Sequence, residues 1–184
     1  SWWGSVPEED PWQWREVIAA EGRIAYGKLF LNRAGFISKE WYPVFASYRR
    51  NGYDFDSRYE DGLASRRAKN IMDVLELYEA LPSNEIRRFA GFGKGGEKGF
   101  EGVMASLQMQ TYITVKNFQK RINKQQEEYG WSIAVYTLSE KLFGEEYVHS
   151  AYSLSQEEAK AKIVNHIASC FSKADILAIE KIIK

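Results

Sequence analysis

The clearest periodicity in the chain begins at Ser65. Behind it Ala68, Ile71, Met72 and Leu75 recur at helical spacing, with Glu79 completing the stripe, and Ser65 stands where an N-cap would. This helix is expected to stop at Leu81-Pro82. Ser83 then opens a shorter helix, NEIRRFAGF, ended by Gly91, and the glycine-rich turn GFGKGGEKG leads into a third helix, FEGVMASLQMQ. The period then changes to two. TYITVK sets Ile113 and Val115 inward against Tyr112, Thr114 and Lys116. WSIAVYT sets Trp131, Ile133 and Val135 inward in the same way. The polar stretch NFQKRINKQQEEYG separates the two strands. Helix, short helix, turn, helix and two strands is the order of a winged helix-turn-helix. The expected fold class is therefore mainly α with small β-hairpins, an α+β architecture.

The flanking segments are less regular. SWWGSVPEEDPWQWRE holds Trp2, Trp3, Trp12 and Trp14, read as a hydrophobic clamp, and Asp10-Pro11 starts a helix running to about Glu21. IAYGKLFLNRAGFIS contains β-formers around NRAG that would close a hairpin, and a helix ended by Gly35 fits almost as well. KEWYPVFASYRRNG reads as a short helix with Pro43 in its first turn, and YDFDSRYEDG as a loop or short helix. Beyond the strands, Ser139 opens a helical turn. Ser155 and Glu158 have the spacing of a capping box before a helix carrying Ala159, Ile163, Ile167 and Phe171 on one face. KADILAIEKIIK is a second amphipathic helix. The expected organisation is an aromatic-rich part at 1–64, the winged unit at 65–138 and C-terminal helices at 139–184, joined in one compact unit.

Composition narrows the function. The 184 residues are 45% hydrophobic and 15% aromatic, enough to bury an interior and too apolar for disorder. Lysine plus arginine and aspartate plus glutamate both number 25, so no whole-molecule field attracts anions. Any nucleic-acid surface has to be a local patch. The single cysteine, Cys170, excludes an internal disulfide framework and is expected to be a buried thiol in a reducing cytoplasm. The chain shows neither a membrane-spanning run nor a signal-peptide pattern, and its start at Ser1 reads as trimmed.

Most familiar chemistries find no residues. His149 and His166 stand far apart without a cysteine pair, so a metal centre is not expected, and no GxSxG elbow is present. GFGKGGEKGF fails as a phosphate loop because Lys94 and Lys98 are each followed by glycine. No cofactor is expected. Charge offers more. Arg87, Arg88, Lys94, Lys98, Lys116, Lys120, Arg121 and Lys124 face only Glu85, Glu97 and Glu101 between Asn84 and Gln125. They fall on the turn, the third helix's start and the wing, where a winged helix meets DNA. Gln119, Asn123, Gln125 and Gln126 add groove-capable amides. In Gln108-Met109-Gln110, an extended backbone would point both amides one way, whereas two ordinary surface glutamines around a core methionine is the plainer reading.

DPWQWREVIAAEGRIAYGKLF, AGFISKEWYP, FGKGGEKGFEG, LQMQTYITV and EEYGWSIAVY together resemble a group of bacterial proteins related to the winged-helix alkylpurine DNA glycosylases, the AlkZ-related proteins. The resemblance runs through essentially all 184 residues, and its extension to the glycosylases themselves covers mainly the winged part. It implies tandem winged helices facing DNA, and a DNA-binding or glycosylase-like role on alkylated bases. Gln108 and Gln110 are the match to a glutamine–apolar–glutamine motif that positions the attacking water. The competing expectation is a non-enzymatic module that binds a protein partner or a second copy.

Overall fold

The computed structural model describes residues 22–171, 173 and 175–184. The four tryptophans Trp2, Trp3, Trp12 and Trp14 and the expected helix at 11–21 lie outside the described residues. What is described is a mixed α+β fold with small antiparallel sheets.

The first sheet is a hairpin, β1 (Ile24–Phe30) and β2 (Arg33–Ser38). Its two-residue turn puts Leu31 at φ 49° and Asn32 at φ 60°, the left-handed pair that matches the twist of antiparallel strands. The helical alternative for this segment is thereby excluded. Helix α1 (Tyr42–Arg50) carries Pro43 in its first turn and ends on Asn51 in the left-handed region. The short α2 (Phe55–Glu60) is capped by Asp54, whose side chain accepts from the Ser57 amide.

Helix α3 (Arg66–Leu77) is capped by Ser65 through the Ala68 amide at 3.1 Å. It ends at Leu77, four residues before the expected stop, because Leu81 and Pro82 form a short strand, β3, paired with β5. Helices α4 (Ser83–Phe89) and α5 (Phe100–Met109) follow, then the long hairpin of β4 (Ile113–Ile122) and β5 (Glu128–Leu138). The stretch expected to be a polar connection is therefore largely strand. The second sheet has the order β3-β5-β4.

Near its base this sheet is covered on both faces. Ile113, Val115 and Val135 are buried as the alternation requires, but so are Tyr112 and Thr114, which were expected outward. One side packs on Ile71, Leu75, Ile86 and Leu107, and on the other Val115 meets Tyr26 of β1. Farther out, Ile133 is half-buried and Trp131 is 75% exposed. The expectation that Trp131 points inward is corrected: the distal hairpin extends past everything that covers its base.

The C-terminal part adds α6 (Ser139–Phe143), α7 (Glu145–Val148), α8 (Gln156–Cys170) and α9 (Ile176–Ile183). The capping box at α8 forms as expected, with Ser155 Oγ accepting from the Glu158 amide and the Glu158 carboxylate accepting from the Ser155 amide. Ala159 and Ile163 join Leu29, Tyr42, Phe45, Val148, Ile179 and Ile183 in a second apolar core. Phe171, expected on the same face, is 65% exposed because the helix has ended and its backbone has turned extended. Cys170 is also exposed, against expectation, since it falls on the outer side of the last turn. Among the described residues, no helix is long and apolar enough to cross a membrane.

Candidate nucleic-acid interface

The distal half of the β4–β5 hairpin brings together the largest share of the expected site residues. Lys120, Arg121 and Lys124 are exposed there, with Gln119, Gln125 and Gln126 beside them. The tip is a tight turn in which the Asn123 side-chain oxygen accepts from the Gln125 and Glu127 amides, both at 2.9 Å. Asn123 therefore holds the turn, and its oxygen is not free to read a ligand. The arrangement orders the lysine-bearing tip before any partner arrives.

A second feature of the hairpin was not anticipated. Gln119 pairs with Ile133 and Arg121 with Tyr129, so β4 advances two residues while β5 advances four. The surplus sits around Gly130, at φ +63°, and Trp131. Ile122, Tyr129 and Trp131 are exposed by 58, 51 and 75%. A bulge re-aims the side chain it carries. The sequence carried a local signal: Gly130 directly precedes the alternating run WSIAVYT, and a glycine within a strand marks such a bulge. Between this hairpin and the start of α4 runs a groove of about 500 Å³, bordered by Ser83, Asn84, Lys120, Arg121, Tyr129 and Ile133.

The other basic residues lie apart from that groove. The Arg87 guanidinium sits 5.8 Å from the Phe100 ring centre, and that of Arg88 sits 4.6 Å from the Phe89 ring centre. Phe89 in turn stacks on Tyr78, nearly parallel at 5.3 Å. Lys94 and Lys98 are exposed on the loop before α5, and the Lys98 carbonyl accepts from Arg67 at 2.8 Å. Lys116 is half-buried at the hairpin's base. The free face of α5 carries Glu101, Gly102 and Ser106, with no basic side chain.

The Gln108–Gln110 pair does not form the expected arrangement. The segment is helical to Met109, and two residues on a helix stand roughly 200° apart. Gln108 is 1% exposed. Its Oε1 accepts from the Lys28 amide at 2.9 Å and its Nε2 donates to the Met104 carbonyl at 3.0 Å. The amide thus ties α5 to β1. Gln110 borders a different space, a groove of about 510 Å³ shared with Arg67, Gly102 and Ser106. The shared face is excluded, since it required extended backbone.

The turn after Gln110 is held from an unexpected direction. Thr111 has φ +69°, a strained position for a β-branched residue. Its amide donates to the Gln108 carbonyl and that of Tyr112 to the Leu107 carbonyl, each at 3.0 Å, the two bonds of a helix-ending motif that normally takes glycine. The Thr111 carbonyl accepts from Arg50 Nη2 at 2.7 Å. Tyr42 Oη at 2.9 Å and Ser139 Oγ at 2.6 Å lie in reach of it and 2.6 Å from each other, so the two hydroxyl protons are shared among these three contacts. Arg50, 1% exposed, also pairs with Glu140 and donates to Tyr152 at 2.8 Å. Burial alone would lower the Arg50 pKa, but Glu140 outweighs it and the guanidinium ends above its ordinary value. Arg49 donates to the Met109 and Ile183 carbonyls, both at 3.0 Å, at the C-terminal ends of α5 and α9. Burial lowers its pKa to about 10, so it remains cationic at neutral pH beside two negative helix ends.

Beside Arg50 and Tyr112 opens a cleft of about 490 Å³, which also takes in Asp54, Asp73, Glu140 and His149. His149 lies 3.2 Å from the Glu140 carboxylate and stacks on Tyr152 at 4.5 Å. Asp56, Glu76 and Glu145 border it too, so acidic groups outnumber Arg50, Lys69 and Lys141. Such a lining repels phosphate. Among the described residues, no group of three His, Cys, Asp or Glu side chains could hold a metal ion.

Comparison with known proteins adds one finding. No curated protein and no solved structure matches the chain. A family model described as AlkZ related matches residues 1–184. With the whole length matched, the chain belongs to the AlkZ-related family.

Proposed function

We propose that this chain is a winged-helix DNA-binding protein that grips DNA through the β4–β5 hairpin. The observation that carries this reading is the exposed trio Lys120, Arg121 and Lys124 on a pre-ordered hairpin beside a groove. The order α3, β3, α4, α5, β4, β5 with sheet order β3-β5-β4 supports a winged helix at 65–138. Membership of the AlkZ-related family supports DNA as the partner. The free face of α5, with Glu101 and two small residues, favours backbone contact by the wing over base reading by the helix. Arg87, Arg88, Lys94 and Lys98 serve as outlying phosphate contacts in this reading. The buried, doubly bonded Gln108 amide speaks against the glutamine pair as a water-positioning device. Recognition of DNA, without base excision by that pair, is the activity proposed.

The test is duplex binding across salt concentrations. If the three hairpin cations each neutralise a phosphate, log affinity falls with log salt at a slope of about −3. Lys120→Ala with Lys124→Ala reduces that slope by up to about two units and leaves thermal stability unchanged, because both side chains are solvated. A slope unaffected by the double substitution removes the hairpin from the function.

A further inference from the structure

We infer that the hairpin is a stacking platform for unpaired bases, so that the favoured ligand is DNA with a single-stranded stretch. The inference rests on the DNA-binding reading above and names its substrate class. Three observations lead to it. First, Trp131 stands 75% exposed on a bulge built from Gly130. The hairpin outruns the cover of its base at this point, so the indole meets solvent where the pairing register breaks. Second, it is not an isolated surface residue: Tyr129 and Ile122 are exposed by 51 and 58% on the same distal segment. A solvated wing that touched only phosphates would have no use for three large apolar side chains. Third, Arg121 pairs directly with Tyr129 across the two strands, Lys120 and Lys124 lie on the same distal hairpin, and Tyr129 borders the groove that Lys120 and Arg121 also border.

Interleaved cations and aromatic faces are the means by which proteins hold single strands: the cations track the backbone while bases stack on the rings. In an intact duplex the base faces are already stacked on one another, and an indole meets only sugar and phosphate edges. The basic residues therefore contribute to both kinds of DNA, whereas Trp131 contributes to unpaired DNA alone. An apolar protein partner would be matched by the rings but not by three neighbouring cations that lack ion pairs among the described residues.

The experiment compares a labelled dT oligonucleotide, a duplex of equal length and a duplex with a central single-stranded gap, each titrated with the full chain, Trp131→Ala and Trp131→Phe. The unsubstituted chain binds gapped and single-stranded DNA more tightly than duplex. Trp131→Ala weakens binding to these two by about 5- to 100-fold and to duplex by less than about 2-fold, and Trp131→Phe restores most of the loss. Thermal melting is unchanged, since the side chain is solvated. Equal losses on all three ligands, or no loss, overturn the stacking platform while duplex binding keeps the wider DNA reading intact. Absence of salt-dependent binding to every DNA defeats that wider reading instead. Self-association that Trp131→Ala abolishes would assign the rings to a second copy of the chain and overturn the inference.

Discussion

Gln108 illustrates how one side chain is claimed by the fold. Its amide bridges the Met104 carbonyl and the Lys28 amide, and the β1 backbone comes so close that a Cβ on Gly27 would lie 2.6 Å from Gln108 Oε1. Gly27 is thus required by close approach, not by backbone conformation. Gly27→Ala should displace the amide and leave buried polar groups unpaired, costing about 1–3 kcal/mol in a denaturant titration. In a Gln108→Ala background the same substitution should be neutral or slightly stabilising, because the clash is gone and alanine restricts the unfolded chain. A cost that is equal in both backgrounds would show that the close contact is not what requires glycine. Thr111 is the complementary case: strain at one residue is tolerated because Arg50 donates to its carbonyl and the Tyr42 and Ser139 hydroxyls close the network around it.

At the scale of elements, local signals set boundaries where a side chain closes the end. The capping box at α8 is such a closure, and its hydroxyl satisfies an amide that the helix itself leaves free. Ser155→Ala is expected to cost about 1 kcal/mol, read as a lower urea midpoint with an unchanged slope. The stabilisation matters because α8 carries Ala159 and Ile163 into the second core. The β4–β5 hairpin shows the opposite situation. Its base is fixed by burial, but among the described residues its outer half is held by cross-strand pairing, the Asn123 turn and the Gly130 bulge. An element so built presents side chains without the molecule collapsing onto them, which is the condition a binding wing has to meet.

At the scale of the molecule, two apolar cores meet across a buried polar seam formed by Tyr42, Arg50, Thr111 and Ser139. Tyrosines along and near this interior resist ionisation. Burial pushes Tyr112 and Tyr136 up to about 12 and raises Tyr42 further still, although its bond to Ser139 pulls it back in part. Each binds its proton more tightly folded than unfolded. The stability it contributes is complete below pH 10 and is lost as pH rises from 10 towards 12, at about 1.4 kcal/mol per pH unit for each group. Arg49, with its value lowered to about 10, acts with the opposite sign over the same range. An ultraviolet alkaline titration should show Tyr42, Tyr112 and Tyr136 ionising only as the protein unfolds. Smooth titration of all of them before unfolding would contradict the buried seam.

Much of the fold was legible because it is written locally. Hydrophobic period, Ser65, the Ser155–Glu158 pair, Pro43 and the change of period at Ile113 each act within a few residues, and the helices and strands they mark are present. The basic residues of the β4–β5 hairpin were equally visible, since charge needs no partner to be read. What the chain could not disclose alone is which of two sides each residue meets. Tyr112 and Thr114 became interior because β1 and the helices cover both faces of the sheet's base. Trp131 became exterior because the hairpin outruns that cover. The Gln108 amide became structural because a strand distant in sequence arrived at 2.9 Å. Periodicity determines that a residue has a side; only tertiary packing decides whether that side meets solvent, a core or a partner.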